Sequence, residues 1–234
     1  MRVGRTFLLL TLTASLAALS ASASATEIPA TAVVWDTAPS FADMAAAWPA
    51  EAYSGLQEGS ATLSCRMGRN ATLGNCQTLS DTPQGLGFAR AAKGLIGKFR
   101  LKVDPLTLRK DQDYFVTVPF HFVNPNSAGG HANKVTAPRW ISMPDPSRIQ
   151  GAFPKAAADA GVTKGVGVID CATARDGRLT DCKVSREAPE GLGFGQAAMT
   201  VAPIMQMNPW TDDGRPIDGA RIKLPIEFTL AGSP

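Results

Sequence analysis

Cys65-Arg66-Met67-Gly68-Arg69-Asn70-Ala71-Thr72-Leu73-Gly74-Asn75-Cys76 is answered 106 residues later by Cys171-Ala172-Thr173-Ala174-Arg175-Asp176-Gly177-Arg178-Leu179-Thr180-Asp181-Cys182. The same offset relates Glu58-Gly59 to Lys164-Gly165, Gly85-Leu86-Gly87-Phe88 to Gly191-Leu192-Gly193-Phe194, and Pro119 to Pro225. A self-match held over about sixty positions marks two copies of one folding unit, and it decides the architecture before any single element is assigned. The expected organisation is a first unit over 26–124, a linker over 125–139 and a second unit over 140–234.

Within each copy the central stretch reads as a β-hairpin. Asn70-Ala71 and Asp176-Gly177 sit midway between the cysteines, and Asp-Gly is a two-residue hairpin turn signal. Register then sets Cys65 opposite Cys76 and Cys171 opposite Cys182, at cross-strand separations that suit a disulfide. This selects one of the three pairings that four cysteines allow. The alternative is four free buried thiols. A spacing of eleven residues is wrong for a zinc knuckle.

Working outward, Trp35 and Trp140 open the units in short extended segments. Helix starts follow at Ser40 with Asp43 three residues on, and at Asp145-Pro146. Pro49 and Pro154 predict a break or a fresh first turn, and the pieces from each proline to Gly55 or Gly161 are expected to be the more regular. In the hairpins, Ala61, Leu63, Cys65, Cys76 and Thr78 share one face, as do Gly167, Ile169, Cys171, Cys182 and Val184. Phe88, Ala92, Leu95, Ile96 and Phe99, and likewise Phe194, Ala198, Val201 and Met205, recur at helical spacing. Each unit closes on a strand in which Val116, Val118, Phe120 and Phe122, or Ile222, Leu224, Ile226 and Phe228, point inward. Helix, hairpin, helix, strand predicts an α+β fold: two tandem two-layer domains, each with helices on a three-stranded antiparallel sheet.

Met1 to Ala25 has Arg2 and Arg5, an apolar run from Phe7 to Leu19 and then Ala23-Ser24-Ala25, the layout of a cleavable secretory signal peptide. The apolar run of about 13 residues is short of the roughly 20 that a spanning helix needs, so no stable membrane insertion is expected after leader cleavage. Without Arg2 and Arg5, the 23 basic residues fall to 21 against 20 acidic, a balance with no electrostatic call for nucleic acid. The only histidines are His121, on the strand face opposite Phe120 and Phe122, and His131, in the linker, and no HExxH, GxSxG or P-loop is present, so no catalytic residue, metal ligand or cofactor is assigned. Gly-Leu-Gly-Phe leads into an alanine-rich helix, where its glycines allow the turn and its Leu and Phe pack on the sheet; an anion nest there is the alternative. Trp35, Trp140 and Trp210 are expected to serve inter-domain packing.

Gly165 to Cys182, Leu192, Ala197 and Ala198, Met207-Asn208-Pro209, Gly214-Arg215-Pro216 and the closing Leu224-Pro225-Ile226-Glu227-Phe228-Thr229-Leu230 together resemble the C-terminal domain of the TonB energy transducer family, with Pro154 and Ala157 matching its opening pattern. The resemblance spans about 80 residues of the second unit. It implies a periplasmic domain that grips a short extended segment of a partner by strand pairing. Pro119 and Pro225, mid-strand residues with no N–H, argue independently that each closing strand lies at a sheet edge. The candidate interaction residues are therefore Thr117, Pro119 and His121 in the first unit and Lys223, Pro225 and Glu227 in the second.

The expected partner is an envelope protein or extended peptide, bound without catalysis in the periplasm. A TonB-type transducer acting on outer-membrane receptors and a secreted enzyme or small-ligand binder with an inter-domain cleft are the alternatives. A third outcome is that both edges are already used by packing of the domains on each other.

Overall fold

The computed structural model describes residues 25–68, 70–102, 109, 112–124, 135 and 138–230. All of the expected leader but Ala25, together with His131 and most of the linker, lies outside the described residues.

The first half runs β1 (Ala25–Ile28), β2 (Trp35–Thr37), α1 (Phe41–Ala46), α2 (Ala50–Tyr53), β3 (Gly59–Met67), β4 (Leu73–Thr82), α3 (Phe88–Leu95), β5 (Arg100–Leu101) and β6 (Asp113–Phe122). The second runs β7 (Trp140–Ser142), α4 (Pro146–Gly151), α5 (Lys155–Asp159), β8 (Lys164–Thr173), β9 (Leu179–Ala188), α6 (Phe194–Val201), β10 (Gln206–Met207) and β11 (Arg221–Thr229). The fold is α+β, with helices on one face of each main sheet.

The second sheet has the expected three antiparallel strands, in the order β11-β8-β9. The first does not stop at three. Its order is β1-β6-β3-β4, and β1 runs parallel to β6, from Ala25 opposite Asp113 to Ile28 opposite Val116. Ala25-Thr-Glu-Ile is too short and too polar to announce a strand; it becomes one because an edge is there to receive it.

Both hairpins close with the predicted disulfides, Cys65–Cys76 and Cys171–Cys182. The turn differs from expectation. The Gly177 N–H donates to the Ala174 carbonyl and the Ala174 N–H to the Arg178 carbonyl, which makes a three-residue loop whose last residue is left-handed, at φ 87°. Ala71 holds the same conformation at φ 60°. Nor is the register simple. It slips between Ser64 and Arg66 and between Asp170 and Ala172, with Asn75 and Asp181 at positive φ as the extra residues, so each inner cysteine faces a bulge. A second slip lies after Thr62 and Val168; Thr78 and Val184 still oppose the buried Leu63 and Ile169, as their shared face requires, but on the outer strand they are exposed rather than buried with the cysteines.

Pro49 and Pro154 each cap a fresh helix, as the prolines require. Those helices are no more regular than the ones before them, four and five residues against six and six. Gly161 is left-handed after α5 as expected, whereas after α2 the left-handed residue is Leu56, not Gly55.

The repeated sequence markers meet in space. Phe88 and Phe194 are fully buried, and a Cβ placed on Gly59 or Gly165 would overlap their rings. The glycine that opens each hairpin and the phenylalanine that ends each Gly-Leu-Gly-Phe are thus two sides of one helix-on-sheet contact. Each half has its own apolar cluster, one around Phe88, Phe99 and Phe120 and one around Phe194, Phe228 and Ile169, with one exception: Trp210 belongs to the cluster of the first half.

Candidate interaction edges

The closing strand of the first half is not open. Outward from β6, β1 takes the stretch 113–116, and the loop after β10 takes the rest. The Trp210 indole N–H donates to the Pro119 carbonyl at 3.0 Å, and the His121 N–H donates to the Gly214 carbonyl at 2.8 Å. Thr117 Oγ1 donates to Glu27 of β1, whose carboxylate also accepts from Ser64 on the neighbouring strand. Thr117, Pro119 and His121 therefore face the protein itself. The strand β1 leaves this edge at Pro29, which starts the 3-10 helix Ala30–Ala32, and the stretch around Pro119, itself without an N–H, is closed by the loop instead.

The loop from Asn208 to Ala220 makes this closure possible. Asn208 is buried; its Oδ1 accepts from the Trp35 N–H at 2.9 Å while its Nδ2 donates to the Val33 and Trp210 carbonyls. The Trp210 ring, 1% exposed, then lies 5.1 Å from Phe99 and 5.4 Å from Phe120. Asp218 accepts the Phe41 N–H at the start of α1, and burial pushes its carboxyl above the usual range despite that bond. Arg175, in the hairpin loop of the second half, pairs with Asp43 at 2.8 Å. Burial raises the Asp43 carboxyl, but the Ser40 N–H, the Lys98 ammonium and the Ser40 hydroxyl bring it down to about 2.

Trp210 thus joins the halves, as expected. Trp35 packs mainly within its own half, 4.7 Å from Phe99, and Trp140 lies against the second core. The sequence marked Asn208 only as part of Met207-Asn208-Pro209 and not for its bonding, because two of the backbone groups it satisfies, at Trp35 and Val33, lie 173 and 175 residues away.

The second half differs. Its strand β11 is the outer strand of its sheet, paired to β8 alone from Arg221–Ala172 to Thr229–Lys164. Pro225 opposes Val168, so its missing N–H points away from β8, as do the backbone groups of Lys223 and Glu227. Among the described residues nothing pairs with that side. The side chains of Lys223, Pro225 and Glu227 are exposed on the sheet face opposite the helices, and Ile222, Leu224, Ile226 and Phe228 are buried against them.

Gly-Leu-Gly-Phe does build an anion nest, and the chain fills it. Glu187, from the end of β9, accepts the Gly193 N–H at 3.1 Å and the Gly195 N–H at 2.6 Å. The Gly195 N–H, against some burial and with help from Gly193, holds its carboxyl below the usual range. Asp81 does the same for the Ala89 N–H in the first half. The nest therefore caps a helix with a carboxylate from the neighbouring strand. Among the described residues no group of three or more His, Cys, Asp or Glu is placed to hold a metal ion, and no helix is long and apolar enough to cross a membrane.

No family model matches this chain, and no solved structure does. An uncharacterized protein of Caulobacter vibrioides is 34% identical to it over 65 residues, 28% of this chain and 65% of that relative. The relative is therefore about 100 residues long, close to the size of one repeat.

Proposed function

We propose that this chain is a non-enzymatic protein- or peptide-binding module of the cell envelope, working in the periplasm, and that the β11 edge receives an extended segment of its partner. What supports the reading is a difference, among the described residues, between two copies of one unit. In the first copy the closing edge holds a strand, β1, and two hydrogen bonds to a loop. In the second the equivalent edge has no partner among the described residues. The first copy also suggests the manner of binding. A guest strand pairs parallel to the start of β11, up to Ile222, the place of Val116, with an aliphatic side chain in the place of Ile28, which packs on the first core, and a further donor reaches the Pro225 carbonyl. Lys223 and Glu227 flank that path with opposite charges and guard it against indiscriminate pairing.

The test is capture from periplasmic extract with wild-type protein, Lys223→Ala and Lys223→Pro. Backbone pairing predicts that alanine keeps the partner and proline loses it, since only proline removes the outward N–H. Identical partner sets for all three proteins would exclude this edge as the binding surface.

A further inference from the structure

The helical layer of the second half carries a groove that the first half straps shut. In the first half two ion pairs cross between the helices: Lys98 to Asp43 at 2.9 Å and Arg90 to Glu51 at 2.7 Å. Matching the helix caps Ser40 with Asp145 and Pro49 with Pro154 puts Arg148 and Ala156 in the places of Asp43 and Glu51, and the offset of 106 puts Ile204 and Gln196 in those of Lys98 and Arg90. Neither replacement pair can form a bridge. Between α4, α5 and α6 lies an open groove of about 860 Å³, lined among others by Arg148, Ala152, Pro154, Ala197, Val201 and Ile204. That volume is within the roughly 300–1,000 Å³ of small-molecule sites, and a mainly apolar lining with a few polar groups is their usual chemistry.

The charge at the groove has one sign. Arg148 is exposed, has no ion-pair partner within 4 Å among the described residues, and no acidic side chain lines the groove. The Asp145 carboxylate, three residues before Arg148, is occupied as the cap of α4, accepting from the Arg148 N–H and the Ser147 hydroxyl. The longest wall, α6, has eight residues and so extends about 12 Å at about 1.5 Å per residue. A groove this short lacks the run of successive anchor pockets that an amphipathic helix uses.

We infer that this groove binds a small anionic amphiphile, a carboxylate on a medium-length acyl chain, with the head at Arg148 and the chain along Ala152, Ala197 and Val201. The site is separate from the β11 edge, so either can fail without the other.

Titration of the full chain with decanoate, kept below its micelle-forming concentration, and in parallel with decyltrimethylammonium tests this. The expected result is saturable binding of one decanoate, at least tenfold tighter than the cationic analogue. Arg148→Gln should weaken it about threefold, the size of an exposed ion pair. The double variant Arg148→Asp with Ile204→Lys, which installs the first half's strap, should abolish it. No saturable decanoate binding, equal affinity for the two head groups, or full binding by a folded double variant would each overturn the inference. So would binding of an acidic amphipathic helical peptide to a groove that refuses decanoate.

Discussion

The Trp210 indole, supplied by the second half, hydrogen-bonds the Pro119 carbonyl of the first, and does so at the point where Pro119 has left an edge without its donor. Pro119 has no N–H to offer a pairing strand and presents instead the acceptor that docks the other half. Trp210→Ala removes the ring from between Phe99 and Phe120 and should cost about 3–5 kcal/mol, the usual range for a large aromatic lost from a core. Chemical denaturation followed separately in each half checks it. Wild type should unfold in one transition and the variant in two; a single unshifted transition would mean that the halves do not depend on this contact.

Acid should weaken the junction through Asp43. Its folded-state pKa lies below the unfolded 3.8, so its stabilisation is complete above that value and is lost as pH falls to about 2. A shift of that size is worth about 2 kcal/mol. Asp218 acts with the opposite sign: its raised value favours the folded state at low pH and costs stability as pH rises through it. In Asp43→Asn the acid limb from pH 4 to 2 should flatten, which stability curves at fixed denaturant would register.

Glu187→Ala leaves the Gly193 and Gly195 amides without their acceptor and should cost about 1 kcal/mol, as loss of a helix cap does. Asp81→Ala removes one such bond and should cost less. The reverse order of midpoints in urea would show that the nest is not held by its carboxylate.

Reduction should destabilise each half separately, because each disulfide closes a loop within its own hairpin. The expected loss is about 2–4 kcal/mol per bond. Non-reducing peptide maps should show Cys65 with Cys76 and Cys171 with Cys182, and no peptide joining the two halves.

A Cβ at Gly165 has no room beside Phe194, so Gly165→Ala should cost about 1–3 kcal/mol through overpacking. Gly165→Ala with Phe194→Leu should recover part of it, since the smaller side chain vacates the contested space. A single-variant melting midpoint equal to wild type would show that the contact is soft.

Much of the fold was legible in the repeat. Hairpin, disulfides, helix faces and closing strands all follow from local periodicity and from two copies agreeing with each other. The bulges at Asn75 and Asp181 escaped because a one-residue slip changes no composition, only which face the later residues take. Of the two candidate edges, the one at Thr117, Pro119 and His121 proved to be occupied, and the residues that occupy it, Ala25 to Ile28 and Asn208 to Gly214, lie far away in the chain.

The amino-acid order by itself determined that there are two similar units, each stapled within its hairpin and each ending in a strand with a proline in it. Those are local properties, set by spacing and by the chemistry of single residues. The edge position expected of both strands holds for β11, whereas β6 lies between β1 and β3. Only the tertiary structure decided that the chain itself takes up the first edge, while the second has no partner among the described residues. That outcome depends on which distant backbone groups come to lie beside Pro119 and Pro225, and no window of sequence contains both partners of such a contact.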